Sequence, residues 1–207
     1  YDRALFSFKE FVAKSPANQP NLADGALRLA DCSYVSKSYN DALSFYRRAL
    51  TLKTSDEDYA HFQLGIILGI LQKYGEAKAE LGRVVRDYPH SRFIDEAIFQ
   101  LAQQEFEQGH YAEAVSGYTN LIDNNLSSRF VPYAYVRRAA ANYNLKEYNK
   151  TAQDYITAIE KYGSHPATKD VLLPLQEALN LAGRSAEFNK YLAAYKKINP
   201  DAKGIET

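Results

Sequence analysis

Apolar residues recur at steps of three and four along almost the whole chain, with polar residues filling the positions between. The pattern is cleanest from Asp87 to Ile122. A turn at Pro89 leads into a predicted helix from about Phe93 to Gln108, with Ala97, Ile98, Leu101, Ala102 and Glu105 on one stripe. Gly109 breaks it, and a second predicted helix opens at Tyr111, with Tyr111, Ala114, Val115, Tyr118 and Leu121 on its stripe. Neither helix can bury its stripe alone, so the pair needs neighbours of the same build.

The sequence supplies them. Tyr-x-x-Ala opens a predicted second helix at Tyr1/Ala4, Tyr39/Ala42, Tyr74/Ala77 and Tyr111/Ala114, followed four residues on by Phe8, Tyr46, Leu81 and Tyr118. Tyr148 leads likewise to Tyr155, with Thr151 in the Ala slot. The steps between these tyrosines are 38, 35, 37 and 37 residues. A fixed period in this range, two helices long, marks an all-α solenoid of stacked antiparallel helix pairs. The first helices carry a matching pair, Leu29-Ala30, Leu64-Gly65, Leu101-Ala102 and Arg138-Ala139. Closing prolines stand at Pro16, Pro89, Pro166 and Pro200.

These residues resemble the tetratricopeptide repeat (TPR) over nearly the whole chain, and the resemblance implies a right-handed superhelix. Residues 1–200 then form one array. Residues 1–16 are an unpaired second helix, repeats one to four span 22–53, 56–89, 92–125 and 130–165, a degenerate capping repeat covers 168–199, and 201–207 is a polar, frayed tail. The stripe Leu5, Phe8, Phe11 and Val12 is expected to pack on repeat one, and Thr54-Ser55-Asp56 to cap the helix that follows. Pro174 is expected to bend the first helix of the last repeat or delay its start, and Pro132 suits a first turn. Gly65 and Gly69 read as close helix packing, with Gly69 alternatively opening room for a ligand side chain.

Charge narrows the partner. The 25 basic and 25 acidic side chains cancel, which argues against a phosphate-tracking surface and nucleic acid. No window approaches the apolar length of a membrane span. The one cysteine, Cys32, excludes an intrachain disulfide and reads as packing. His61, His90, His110 and His165 lack helically spaced co-ligands, so no metal or cofactor is expected. No nucleophile elbow, phosphate loop or dinucleotide fingerprint occurs, and the carboxylates at Asp56-Glu57-Asp58 and Asp95-Glu96 serve helix starts. The chain reads as non-enzymatic. It opens inside a second helix without Met, as a mature or excised piece of a longer protein would.

In stacked helix pairs the first helices line the concave face. Counting back from the tyrosines places Asp24, Leu27, Asp31 and Tyr34 there in repeat one, and Tyr59, Phe62, Ile66 and Gly69 in repeat two. Repeat three offers Glu96, Phe99, Gln103 and Phe106, and repeat four Tyr133, Val136, Ala140 and Tyr143. Such an aromatic groove suits an extended peptide or a partner helix. It lacks the Lys and Arg clamp of carboxylate-binding TPR grooves, so an acidic chain end is not the expected ligand. The wording DYPHS, DEAIFQLA and YAEAV is similar to TPR domains of bacterial cell-envelope proteins, such as the Tol-Pal-associated periplasmic factor and outer-membrane assembly lipoproteins. That resemblance implies a periplasmic or outer-membrane-associated place, a cytoplasmic one being the alternative. The leading expectation is a scaffold or adaptor holding a protein or peptide. The alternatives are a regulatory or substrate-docking arm of a larger enzyme, and self-association through the unpaired N-terminal helix.

Overall fold

A computed structural model describes residues 2–16 and 18–200, with side chains from Phe6 onward. Tyr1, the side chains of Ala4 and Leu5, and the tail 201–207 lie outside the described residues. Among the described residues the chain is all-helical, with eleven α-helices and no strand. Two compact bodies divide it, residues 1–100 and 101–207.

The first body holds α1 (Asp2–Lys14), α2 (Leu22–Val35), α3 (Tyr39–Thr51), α4 (Glu57–Ile70), α5 (Tyr74–Asp87) and the start of α6 (Ile94–Glu107). The second holds the rest of α6, then α7 (Tyr111–Asn124), α8 (Val131–Asn144), α9 (Tyr148–Tyr162), α10 (Leu172–Leu181) and α11 (Phe188–Ile198). Even-numbered helices are first helices and odd-numbered ones from α3 are second helices. Each body is thus a run of antiparallel pairs, the α-solenoid that the period implies. The unpaired α1 packs on α2 through Phe8, Phe11 and Val12, as its stripe demands.

The repeat residues earn their places by size. Ala42, Ala77, Ala114, Tyr46, Leu81 and Tyr118 are all fully buried. A Cβ on Gly65 would stand 2.4 Å from Leu81 Cγ, and one on Gly117 2.7 Å from Ala102 Cβ. Gly65 is therefore the close packing that was expected, because the pair of helices has no room for a methyl group there. Cys32 is buried, and Pro132 lies in the first turn of α8.

Every first helix leaves by one backbone device. Lys37, Gln72, Gly109, Lys146 and Gly183 take φ of 57, 58, 79, 62 and 71°. The following N–H reaches back to the carbonyl five residues earlier, as Ser38 to Ser33 (2.9 Å), Lys73 to Leu68 (2.8 Å), His110 to Glu105 (2.9 Å), Glu147 to Asn142 (2.9 Å) and Arg184 to Leu179 (2.7 Å). This left-handed closure satisfies carbonyls that the helix end would orphan. It recurs in the last repeat, which therefore keeps the register although its side chains depart from the pattern.

Three local expectations change. Asp56 precedes α4 without a side-chain cap, and Thr54 Oγ1 instead accepts the Asp56 N–H at 3.3 Å. The first helix of the last repeat starts at Leu172 rather than near Thr168, after a 3₁₀ turn over Pro166–Thr168. Pro174 is then its third residue, where no intrahelical donor is needed, so of the two outcomes expected of it the delayed start is the one found. The second helix starts at Phe188, behind another 3₁₀ turn at Ser185–Glu187.

Candidate binding faces on the first helices

In the first body, the face of α2 and α4 is organised by one carboxylate. Asp31 Oδ1 accepts the Tyr46 hydroxyl at 2.5 Å and the Tyr59 hydroxyl at 2.8 Å. Arg28 approaches Asp31 Oδ2 at 3.6 Å and Asp24 Oδ1 at 3.3 Å. Burial, then the Asp31 charge, pushes both phenols above the ordinary tyrosine range, so both stay donors. Tyr46 springs from a second helix, and its hydroxyl reaches a carboxylate of the first.

Beside this network lies a pocket of about 540 Å³ lined by Leu27, Arg28, Asp56, Asp58, Tyr59, His90, Arg92 and Phe93. Its far wall is the loop from α5 to α6, tied down at both ends. The Tyr88 hydroxyl donates to Glu57 at 2.8 Å, and Ser91 Oγ to Asp58 at 2.6 Å. Phe93 stacks on Phe62, with centroids 5.0 Å apart and planes at 15°. The carboxylates that open α4 therefore do more than complement the helix dipole. They hold a loop.

In the second body, Gln103 accepts the Tyr118 hydroxyl at 2.9 Å, repeating the Asp31–Tyr46 arrangement with a neutral acceptor. The Tyr143 hydroxyl donates to Glu177 at 2.6 Å, and Tyr133 stands edge-on to His165 at 5.1 Å. Phe106 meets Tyr111 edge-on at 5.3 Å. A pocket of about 330 Å³ between α8 and α10 is lined by Tyr133, Val136, Arg137, Tyr155, Pro166, Ala167, Asp170, Val171 and Pro174. Burial outweighs the nearby Arg137 and pushes the Tyr155 phenol up to about 12. Behind α8, Arg138 makes a two-pronged pair with Asp154 (3.0 and 2.7 Å) and donates to Thr119 at 2.9 Å.

The structure sorts the residues expected in the groove. Leu27, 1% exposed, and Phe62, 5% exposed, are corrected to core positions. Leu27 joins the buried cluster of α2, α3 and α4, and Phe62 lies under Phe93. Asp24 and Tyr133 are exposed, while Asp31, Tyr34, Tyr59, Ile66, Gly69, Glu96, Phe99, Gln103, Phe106, Val136, Ala140 and Tyr143 are half-buried. Asp31 and Gln103 are engaged by core tyrosines. The pockets bring together Leu27 with Tyr59, and Tyr133 with Val136.

Sequence reasoning missed Arg28, His90, Arg92, Arg137 and Asp170. Counting by threes and fours skipped the position eleven residues before the second-helix tyrosine, held by Arg28 and Arg137. Each pocket thus carries one first-helix arginine that the count did not place there. Two histidines also find carboxylates across helices or turns, His61 Nδ1 with Glu80 at 2.6 Å and His110 Nδ1 with Glu105 at 2.9 Å. Among the described residues no group of three or more metal-ligating side chains gathers, and no helix is long and apolar enough to cross a membrane.

Helix pairs closed by one recurrent turn, with side chains gathered on the first helices, define an α-solenoid of the tetratricopeptide type. Residues 96–125, most of α6 and all of α7, match the family described as the tetratricopeptide repeat. No curated protein matches the sequence. Among solved structures the fold is similar to YrrB, described as a TPR protein with an unusual peptide-binding site. The identity is 15%, over 94% of this chain and 93% of YrrB, with a TM-score of 0.64. It is similar to MamA of Desulfovibrio magneticus RS-1 at 14% identity, over 88% of this chain and 97% of that one, with a TM-score of 0.68. Apo RapI gives a TM-score of 0.81 at 15% identity, over 98% of this chain, which spans 60% of RapI. At such identities the likeness is one of fold.

Proposed function

We propose that this chain is a non-enzymatic scaffold or adaptor that holds an extended protein segment on its first-helix faces. The observation that carries the reading is the set of aromatics left part-exposed there, Tyr59 and Phe99 in the first body and Phe106, Tyr133 and Tyr143 in the second. The second-helix aromatics Tyr46 and Tyr118 are fully buried, while the tyrosines that open those helices (Tyr39, Tyr74, Tyr111 and Tyr148) are half-buried as well. Aromatic side chains half out of water are the usual anchors of protein recognition, since they bury much area and fix few torsions. YrrB, a TPR protein of the same fold, is described by its peptide-binding site.

The test is selection of random twelve-residue peptides on the folded chain. Wild type enriches a defined set. A variant with Phe99→Ala, Phe106→Ala and Tyr143→Ala, folded by circular dichroism, loses it. An unchanged set in the variant contradicts the assignment. The wording of residues 87–118 supports a place in a bacterial envelope, tested by fractionating the source cells. Recovery with cytoplasmic proteins alone rejects it.

A further inference from the structure

We propose that the pocket between α8 and α10 takes an acidic side chain of a bound peptide, its carboxylate accepting from the Tyr155 hydroxyl and pairing with Arg137. The inference rests on the peptide-binding reading and names what one site within it recognises.

Repeat one shows the same frame filled. There Tyr46 and Arg28 converge on the carboxylate of Asp31. Moving each of the three 109 residues along the chain gives Tyr155, Arg137 and Ala140. The hydroxyl and the guanidinium are retained, and the carboxylate between them has become a methyl group. Repeat three fills the slot with Gln103, which accepts from Tyr118 at 2.9 Å. In repeat two the two positions are Ile66 and Leu81, so no hydroxyl needs an acceptor. Only in repeat four is the tyrosine kept and its acceptor removed.

Tyr155 is 6% exposed, and its hydroxyl makes no hydrogen bond among the described residues. It is not sealed in, because it lines the pocket of about 330 Å³. A hydroxyl that has no protein acceptor and opens on a pocket is free to exchange water for a ligand acceptor, and a carboxylate is the stronger acceptor. Arg137 lies close enough to act on the hydroxyl electrostatically. The phenol stays protonated at neutral pH and can only donate to an incoming anion. Val136, Val171 and Pro174 line the same space and suit the methylenes of a glutamate. Three carboxylates oppose an anion: Asp154, already paired with Arg138, and Glu177, which accepts from Tyr143, both act on the Tyr155 hydroxyl, and Asp170 lines the pocket. Asp170 stands where repeat two contributes Tyr59, but it is exposed and solvated, which weakens its repulsion.

The experiment is an NMR titration of the full chain, followed at the Arg137 side-chain N–H and the Tyr155 ring. The probes are the capped pentapeptide Ala-Leu-Glu-Leu-Ala, its glutamine counterpart, and the glutamine peptide with a free C-terminal carboxylate. The glutamate peptide is expected to shift both signals saturably, and the other two to bind about tenfold more weakly, the loss of one charged hydrogen bond. Tyr155→Phe, which keeps the ring, and Arg137→Gln each weaken the glutamate peptide by a similar factor. Asp170→Asn tightens it. Ala140→Asp, which restores the internal carboxylate of repeat one, abolishes it. Equal binding of glutamate and glutamine peptides, preference for the free terminus, or an unchanged affinity in Tyr155→Phe overturns the site. If display-selected peptides still need Phe106 and Tyr143 while Tyr155→Phe is silent, the binding face stands and this pocket assignment fails. If nothing binds wild type, both fall.

Discussion

At the scale of single residues, the strongest regularity is one that side-chain identity concealed. The turn inside each repeat needs a left-handed residue, yet only Gly109 and Gly183 advertise it, while Lys37, Gln72 and Lys146 adopt it against their preference. Such strain costs roughly 1–2 kcal/mol per residue, and glycine's extra chain entropy costs about 0.5–1. Lys37→Gly, Gln72→Gly and Lys146→Gly are therefore expected to stabilise by about 0.5–1 kcal/mol each, and Gly109→Ala to destabilise by about 1–2. Urea melts of the four variants check both signs. A second residue-scale prediction concerns acid. Burial raises the Glu80 carboxyl, but the hydrogen bond from His61, with Arg83 and Arg47, outweighs it and holds the group below the usual glutamate range. A pKa lowered on folding adds stability above the unfolded value of about 4.3, and that stability is lost as pH falls toward the folded one. Glu80→Gln should flatten the fall in stability between about pH 5 and pH 3. An unchanged slope contradicts the pairing. Neither His61–Glu80 nor Tyr59–Asp31 was legible in the sequence, because their partners are 19 and 28 residues apart and meet only once helices pack.

At the scale of elements, the sequence was far more informative. The recurrent tyrosine marks the start of the second helices, so α3, α5, α7 and α9 open at Tyr39, Tyr74, Tyr111 and Tyr148, and α6 lies within a residue of its expected bounds at each end. Only the last repeat slipped, since Phe188 and Leu192 replace the Ala and aromatic slots and 3₁₀ turns take up the difference. Arg138 is the other departure. It stands where the other first helices place Leu29, Leu64, Leu101 and Leu175, and Asp154 from α9 compensates it. Removing one member of so buried a pair leaves the other uncompensated. Asp154→Ala is expected to cost about 3–5 kcal/mol. Arg138→Leu combined with Asp154→Ala should recover most of that, because leucine restores the common repeat core. A double variant as unstable as the single one would show that the pair does more than replace a leucine.

At the scale of the molecule, the period made the architecture readable, while the side-chain details of the first-helix face were not. Counting from the tyrosines put fourteen of sixteen named residues at exposed or half-buried positions. Leu27 and Phe62 failed because a neighbouring cluster and the Phe93 loop cover them. The two pockets depend on a loop held by Glu57 and Asp58, and on arginines at a position the count skipped. The central claim is that partners bind the first helices, and amide NMR of the labelled chain with a display-selected peptide tests it most directly. The account predicts that the perturbed amides and side chains cluster on α2, α4, α6, α8 and α10. Perturbations confined to α3, α5, α7 and α9 would contradict it.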